Sequence, residues 1–309
     1  MKSLLILSAF VLVVIVVIVF RIFDCQITDK EAIKLAKNFY SKMGVDYTTE
    51  PVLEPISLGK LVAFGPKSKV LTDDEINKKI VTVINCESGE VAHFANHGLL
   101  YETLGKYTET IDNKKQIIKW PPILSEHKAK EILQSLAQKI DLPQDVEYSD
   151  LRLDKDNAIW TAHWKRKLNG IPYENDYVNV SIMATDGRFY GFNKWLKGKP
   201  CPTGVKISQD EAIKTAYERF ADFFPKEKWS KNKDKFELKS AELKIVQDKS
   251  LWQKVLGLSG NSRLAWVVVY DTKPGMETET IEILRKDQSF IKVDAISKAI
   301  ISTEINVVP

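Results

Sequence analysis

The chain has 309 residues, enough for two or three domains, and its content of 44% apolar and 28% charged residues is typical of folded globular proteins. This composition excludes an extensively disordered chain. The net charge of +4 comes from 45 basic and 41 acidic residues, a mixed surface without the concentrated basic field of nucleic-acid-binding proteins, so we expect no nucleic-acid partner.

An apolar run of seventeen residues, 4–20, opens the chain behind Lys2. As a helix, such a run spans roughly 26 Å, close to the ~30 Å core of a bilayer. The sequence therefore predicts one transmembrane helix within residues 1–23, with the membrane as a partner. No small-x-small pair marks a cleavage point, which favours an uncleaved signal anchor over the alternative of a cleavable signal peptide. A slight charge bias predicts a single-pass cell-membrane protein with residues 24–309 outside the cytoplasm.

The three cysteines are Cys25, Cys86 and Cys201. They are far apart, odd in number and in no C-x-x-C spacing, so at most one intramolecular bridge can form. This pattern excludes a disulfide scaffold and leaves the cellular compartment open.

A helix-start signature recurs three times along the chain. Thr28 and Ser208 are N-cap residue types with Glu31 and Glu211 three residues later, the pattern of a capping box, whereas Ser125 lacks the Glu. Each cap is followed by apolar residues at helical spacing, so we expect one apolar face on each helix.

Strand-like segments follow each predicted helix. Strong apolar or alternating runs cover residues 61–64, 159–164 and 264–270. Thr28 to Phe64 and Ser125 to Trp160 are similar spacings, which favours repetition. Each repeat then closes with a hairpin, with turns predicted at Ser88-Gly89, Asp186-Gly187 and Asp287-Gln288.

These patterns predict an α+β fold, in which an N-terminal transmembrane helix is followed by repeated units of one helix packed on a small antiparallel sheet. Gly- and Pro-containing joints separate the repeats. The predicted divisions are an anchor at 1–23, a first repeat at 24–104, a linker at 105–122, a second repeat at 123–197, a linker at 198–206, and a third repeat at 207–302 with an insertion near 226–263.

The repeats resemble the PepSY family. The third repeat carries the resemblance best, in the segments ISQDEAIKTA, RLAWVVVYD and IEILRKDQSFIKVDA, although Asp287-Gln288 stands where the family prefers Asp-Gly or Asp-x-x-Gly. The second repeat is similar to the YcdB/YcdC repeated domain of Gram-positive bacteria, through Asn169-Gly170-Ile171-Pro172 and Asp186-Gly187. The resemblance covers residues 27–300 and implies an extracytoplasmic, non-enzymatic bacterial module. PepSY modules occur in peptidase propeptides, where an inhibitory role is proposed, and the family has no catalytic residues to carry over.

Cys86, His93 and His97 are the residues that could suggest a transition-metal site, because thiolate and imidazole suit zinc or copper. In a strand, however, the two histidines would stand about 13 Å apart, and no Glu sits between them in H-E-x-x-H order. The chain contains no G-x-S-x-G, P-loop or G-x-G-x-x-G motif. We therefore predict no catalytic residue, no metal ligand and no cofactor.

Basic and aromatic residues interleave at residues 164–167, 194–199 and 226–231. Such clusters could bind an anionic polymer or lipid head groups. The alternative, which the composition of strand ends favours, is that tryptophans pack inward and lysines face solvent.

The sequence thus predicts a non-enzymatic, membrane-anchored, extracytoplasmic binding or regulatory protein, which restrains a peptidase or contacts cell-envelope components. Two alternatives stay open. One is a metal-dependent hydrolase that uses Cys86, His93 or His97, and the other is a structural spacer of an envelope complex.

Overall fold

The computed structural model describes residues 25–47, 51–56, 59–64, 79–106, 108–111, 114–117, 122–224, 226, 229–230, 233–249, 260–273 and 288–304. Its helices are α1 (Asp29–Met43), α2 (His97–Gly105), α3 (Glu126–Ile140) and α4 (Gln209–Ala221). Its strands are β1 (Pro51–Ile56), β2 (Gly59–Phe64), β3 (Ile80–Asn85), β4 (Val91–Asn96), β5 (Thr108–Ile111), β6 (Lys114–Ile117), β7 (Val146–Asp154), β8 (Ile159–Leu168), β9 (Ile171–Met183), β10 (Phe189–Trp195), β11 (Phe236–Asp248), β12 (Asn261–Thr272), β13 (Ser289–Asp294) and β14 (Ile300–Glu304).

Strand pairing corrects the predicted fold class. Instead of separate small sheets, twelve strands join one mixed sheet in the order β1-β2-β3-β4-β10-β9-β11-β12-β13-β14, with β8 paired to β9 and β7 to β8. β5 and β6 form a separate hairpin. The physical reason is that strand edges find protein partners: β10 pairs with β4 in antiparallel fashion, and β11 pairs with β9 in parallel. Backbone groups that a small isolated sheet would leave open at its edges are thereby satisfied.

The membrane prediction is also corrected. In the stretches that the structure describes, no helix is long and apolar enough to cross a membrane. The single membrane span and the membrane partner therefore have no support in the described residues, and the predicted transmembrane helix at 1–23 lies outside them.

All three predicted N-caps are confirmed. The hydroxyls of Thr28 and Ser208 accept the backbone N–H of the Glu three residues later, and each Glu bonds back to the cap N–H, which completes a capping box. Ser125 caps α3 without the reciprocal bond, as predicted. The residues four, eight and twelve positions after each cap are buried, namely Ala32, Ala36 and Tyr40, Ala129, Leu133 and Ala137, and Ala212, Ala216 and Phe220. One apolar face per helix therefore forms, with the period of the α-helix.

The hairpin turns share one backbone pattern. In each, the N–H of the fifth residue donates to the carbonyl of the first over 2.9–3.0 Å, and the fifth residue has a positive φ, in Asn85–Gly89, Met183–Gly187 and Asp294–Lys298. The first two turns confirm the prediction. The third predicted turn, at Asp287-Gln288, falls at the end of residues 274–287, which lie outside the described part of the chain, so it stays a prediction. The third turn with this backbone pattern lies between β13 and β14. No glycine marks this turn in the sequence, because Lys298 takes the left-handed conformation that glycine takes in the other two turns. The Asp294 carboxylate accepts the N–H groups of Ile296 and Ser297 within the turn.

The second residue of each of these turns is bonded to the segment that precedes a helix. Ala184 and Ala295 each accept a backbone N–H from the residue that precedes the cap of α3 and α4, Leu124 and Ile207. In the first hairpin the same position is Cys86, which forms a disulfide with Cys25, with Cα atoms 4.8 Å apart. A covalent bond thus replaces a hydrogen bond at the start of α1, and Cys201 remains a free thiol.

The chain divides into two compact units. The first comprises Met1–Gln144, Tyr148–Trp164 and Tyr177–Trp195, and the second Asp145–Glu147, Lys165–Asp176 and Leu196–Pro309. In the first unit, aromatic rings of α1 pack on the sheet, with Phe39 5.5 Å from Phe94 and 5.7 Å from Phe192 between ring centroids. In the second, Phe220 of α4 stacks on Tyr270 at 5.0 Å. Burial of these rings supplies much of the apolar stabilisation of each unit.

Candidate functional site

The sheet of the first unit has a face that α1 does not cover. Phe94 and Phe192 contact Phe39 of α1, so their side chains point to the helix side. Because side chains alternate along a strand, the neighbouring His93 and Asn193 point to the opposite side, which we call the outer face.

Five polar side chains form a line across the outer face, which we call the polar row: Asp150, His163, Asn179, Asn193 and His93. His163 Nδ1 donates to Asn179 Oδ1 over 2.8 Å, and its Nε2 lies 3.8 Å from Asp150 Oδ1. Asn179 and Asn193 are cross-strand partners on β9 and β10, and Asn193 and His93 are partners on β10 and β4. The row therefore runs across five strands, and all five of its residues are half-buried.

One end of the outer face is closed by α2. Leu99 of α2 packs with Ile159 and Met183, which precede and follow the hydroxyl pair of Thr161 and Ser181 on the same face. The two hydroxyl oxygens of that pair are 2.8 Å apart. Beyond it, towards the polar row, the face is no longer apolar.

The other end of the outer face is aromatic. Tyr177 and Trp195 are cross-strand partners on β9 and β10, two residues from the asparagines of the polar row. Asn193 Nδ2 donates to the Tyr177 hydroxyl over 3.3 Å. Trp195 remains 38% exposed. Tyrosine and tryptophan combine an apolar body with a polar tip, so this border offers both kinds of contact beside the polar row.

The charges near the polar row are neutralised within the first unit. Burial lowers the pKa of His93, and the neighbouring His97 lowers it further. Arg152 pairs with Asp150 at 2.7 Å. The polar row therefore offers hydrogen bonds rather than an unpaired charge, and an aromatic ring borders it.

The residues that sequence analysis considered for a metal site do not come together as one. Cys86 is bonded to Cys25 and has no thiolate to offer in this form. His97 does not continue the strand of His93 but opens α2, where the Asn96 side chain accepts the N–H of Leu99. Among the residues that the structure describes, no three His, Cys, Asp or Glu side chains are grouped so as to hold a metal ion.

Several residues of the predicted basic-aromatic clusters form contacts within the protein. In the second unit, Arg166 bonds both Asp145 and Asp176, and Lys167 pairs with Glu147. The Asp176 carboxylate, whose side chain is 2% exposed, also accepts the N–H groups that follow β10 at Lys197 and Gly198. Trp229 packs on Phe220, Phe224 and Phe236. These contacts are structural and agree with the alternative interpretation for Trp229, whereas Trp195 of the 194–199 cluster is exposed and does not pack inward as that interpretation predicts.

Sequence analysis missed most of the polar row. Of its members only His93 was considered for a metal site, and none of Asp150, His163, Asn179, Asn193 or the adjacent Tyr177 was considered for a metal or ligand-binding site. One local signal was present, because polar residues alternate with apolar ones in 159–164 and 177–182, which indicates a polar sheet face.

A scan against protein-family models finds no match to this chain, and a search of curated proteins finds none either. The resemblance to the PepSY family therefore stays a prediction.

Proposed function

We propose that this chain is a non-enzymatic binding protein that acts outside the cytoplasm and holds a polymeric component of the cell envelope on the outer face of its first unit. The polar row carries the proposal. It presents hydrogen-bonding groups on strands, which hold them more precisely than loops would.

The disulfide supports the location. Disulfides persist in oxidising compartments and are rare in the cytosol. The Cys25–Cys86 bond closes the start of α1 onto the β3–β4 turn, where the other two hairpins use a hydrogen bond. Outside the cytoplasm, this disulfide would stay oxidised.

The geometry at His163 supports binding over catalysis. Its Nδ1–H is committed to Asn179, and its Nε2 faces the Asp150 carboxylate rather than a hydroxyl or thiol. A general base needs a nucleophile or substrate proton within about 3 Å. Held in this way, the imidazole orients Asn179 instead.

The test is cosedimentation of the full chain with isolated insoluble envelope polymer. We expect the parent chain and an Asn261→Ala control, altered at an exposed asparagine of the second unit, to sediment equally. The double variant Asn179→Ala/Asn193→Ala should stay in the supernatant while keeping the parent's thermal unfolding midpoint within a few degrees. Equal sedimentation of all three proteins would overturn the proposal.

A pulldown with the same proteins separates the polymer from the other predicted partner. Capture of a peptidase in place of polymer, dependent on the same two asparagines, would contradict the polymer assignment. Capture that ignores both asparagines would contradict the assignment of the outer face.

A further inference from the structure

We infer that the ligand of the polar row is a neutral glycan, with a sugar ring stacked on Trp195 and its hydroxyl or acetamido groups bonded to Asn179 and Asn193. This inference rests on the proposed function and specifies the ligand of the same surface. It follows from three features: the hydrogen-bonding capacity that the row leaves unused, the aromatic border and the absence of net charge.

The two asparagines leave an amide nitrogen and an amide oxygen side by side with unused hydrogen-bonding capacity. Each amide has an oxygen that accepts and a nitrogen with two donors. Asn179 Oδ1 is used by His163, and Asn193 Nδ2 is used by Tyr177. Within the described part of the chain, Asn179 Nδ2 and Asn193 Oδ1 have no hydrogen-bond partner. A sugar hydroxyl both donates and accepts, so it can satisfy the pair at once.

The spacing of these groups suits one sugar ring. Cross-strand Cβ atoms lie about 5 Å apart, and residues two apart on one strand are separated by roughly 7 Å. Asn179 and Asn193 are cross-strand partners, and Asn193 and Trp195 are two residues apart on β10. A ring that lies on the indole therefore presents its edge to both amides.

The aromatic border favours a ligand with apolar faces and polar edges. Trp195 is exposed enough to be contacted, and Tyr177 beside it is fixed by the bond from Asn193. A pyranose has C–H groups on its faces and hydroxyls around its edge, and tryptophan and tyrosine match this by combining an apolar body with a polar tip.

The charge state argues against an ionic ligand. Arg152 pairs with Asp150, and burial favours the uncharged form of His93 by lowering its pKa. An anionic polymer would find no unpaired cation in the polar row. A cationic ligand would meet Asp150, whose Oδ2 is already bonded to Arg152 and whose Oδ1 is buried.

The experiment is isothermal titration calorimetry of the full chain with four neutral tetrasaccharides. These are chitotetraose, cellotetraose, maltotetraose and mannotetraose. Oligogalacturonate serves as an anionic probe and tetra-alanine as a peptide probe. We expect saturable binding of at least one neutral glycan, unchanged between low and high salt because no charges are paired. Trp195→Ala and Asn179→Ala/Asn193→Ala should each weaken it by about tenfold or more, and Asn261→Ala should not.

The outcomes separate this inference from the proposed function. If no neutral glycan binds, or if only oligogalacturonate or tetra-alanine binds, the glycan assignment is overturned. In that case asparagine-dependent cosedimentation with envelope polymer would still uphold the proposed function. Loss of asparagine dependence in both experiments would overturn both. A variant that binds glycan like the parent despite lacking both amides would overturn the assigned contacts.

Discussion

The disulfide makes a quantitative prediction about stability. Replacing Cys25 and Cys86 together with serine opens a covalent loop that joins residues 61 apart in sequence. Loop-closure entropy for that length corresponds to about 4 kcal/mol of lost stability at 25 °C. The loss is large because a folded domain is stable by only about 5–15 kcal/mol.

The assay is urea unfolding of the full chain, followed by far-ultraviolet circular dichroism. Cys201→Ser is the matched control, because that cysteine is half-buried and unbridged, and it should cost less than about 1 kcal/mol. The parent treated with reductant should fall to the stability of the double serine variant. If the double variant and the control unfold at the same urea concentration with the same slope, the disulfide does not constrain the first unit and the reasoning is refuted.

Three further predictions concern the turns, the caps and a buried imidazole. Gly187→Ala and Gly44→Ala should each cost about 1–2 kcal/mol, since both glycines have a positive φ, and the close contact of a Cβ at Gly187 is only with the movable end of Ile132. Unchanged urea unfolding of either variant would contradict this. Trp266→Phe removes the 3.2 Å hydrogen bond from the indole N–H to the carbonyl of Ile207, the residue before the α4 cap, and should cost about 1–2 kcal/mol of unfolding free energy. Urea unfolding measures this cost, and unchanged stability would exclude the hydrogen bond. Burial lowers the pKa of His93 below its ordinary 6.5, so unfolding takes up a proton and stability should fall as pH drops from 7 towards 5. His93→Gln should flatten that slope, and a parent-like slope would refute the assignment.

The helices were predictable because their signals are local. Thr28 and Ser208 with their glutamates form the expected capping boxes, and the buried positions follow each cap at spacings of four. The turn at Asp186-Gly187 was predictable for the same reason, because glycine takes the left-handed conformation at low cost.

Register was not predictable, and one apparent match was a coincidence. The spacing from Thr28 suggested Phe64 as the counterpart of the repeat tryptophan. Asn85 and Asp294 are the first residues of equivalent turns, and their cross-strand partners are Gly59 and Ala265. The next residues along those strands are therefore equivalent, so the counterpart of Trp266 is Lys60. Lys60 forms an ion pair with Asp29 where Trp266 donates a hydrogen bond. A shift of this kind depends on which residues face each other across strands, and that is a long-range property.

The polar row could not be assembled from sequence for the same reason. Asp150, His163, Asn179 and Asn193 lie on consecutive strands, but His93 reaches the row only through the pairing of β10 with β4. That pairing is also what merges the predicted small sheets. The error in fold class and the failure to place His93 in the row therefore have one cause.

The most direct test of the outer face is a chemical-shift map of the isotopically labelled chain during titration with soluble envelope fragments. We expect the largest changes on the side-chain amides of Asn179 and Asn193 and on the indole N–H of Trp195, with smaller changes at the neighbouring backbone of β9 and β10. Changes confined to α4 and β11–β14, or a spectrum that does not respond at saturating fragment, would contradict this expectation.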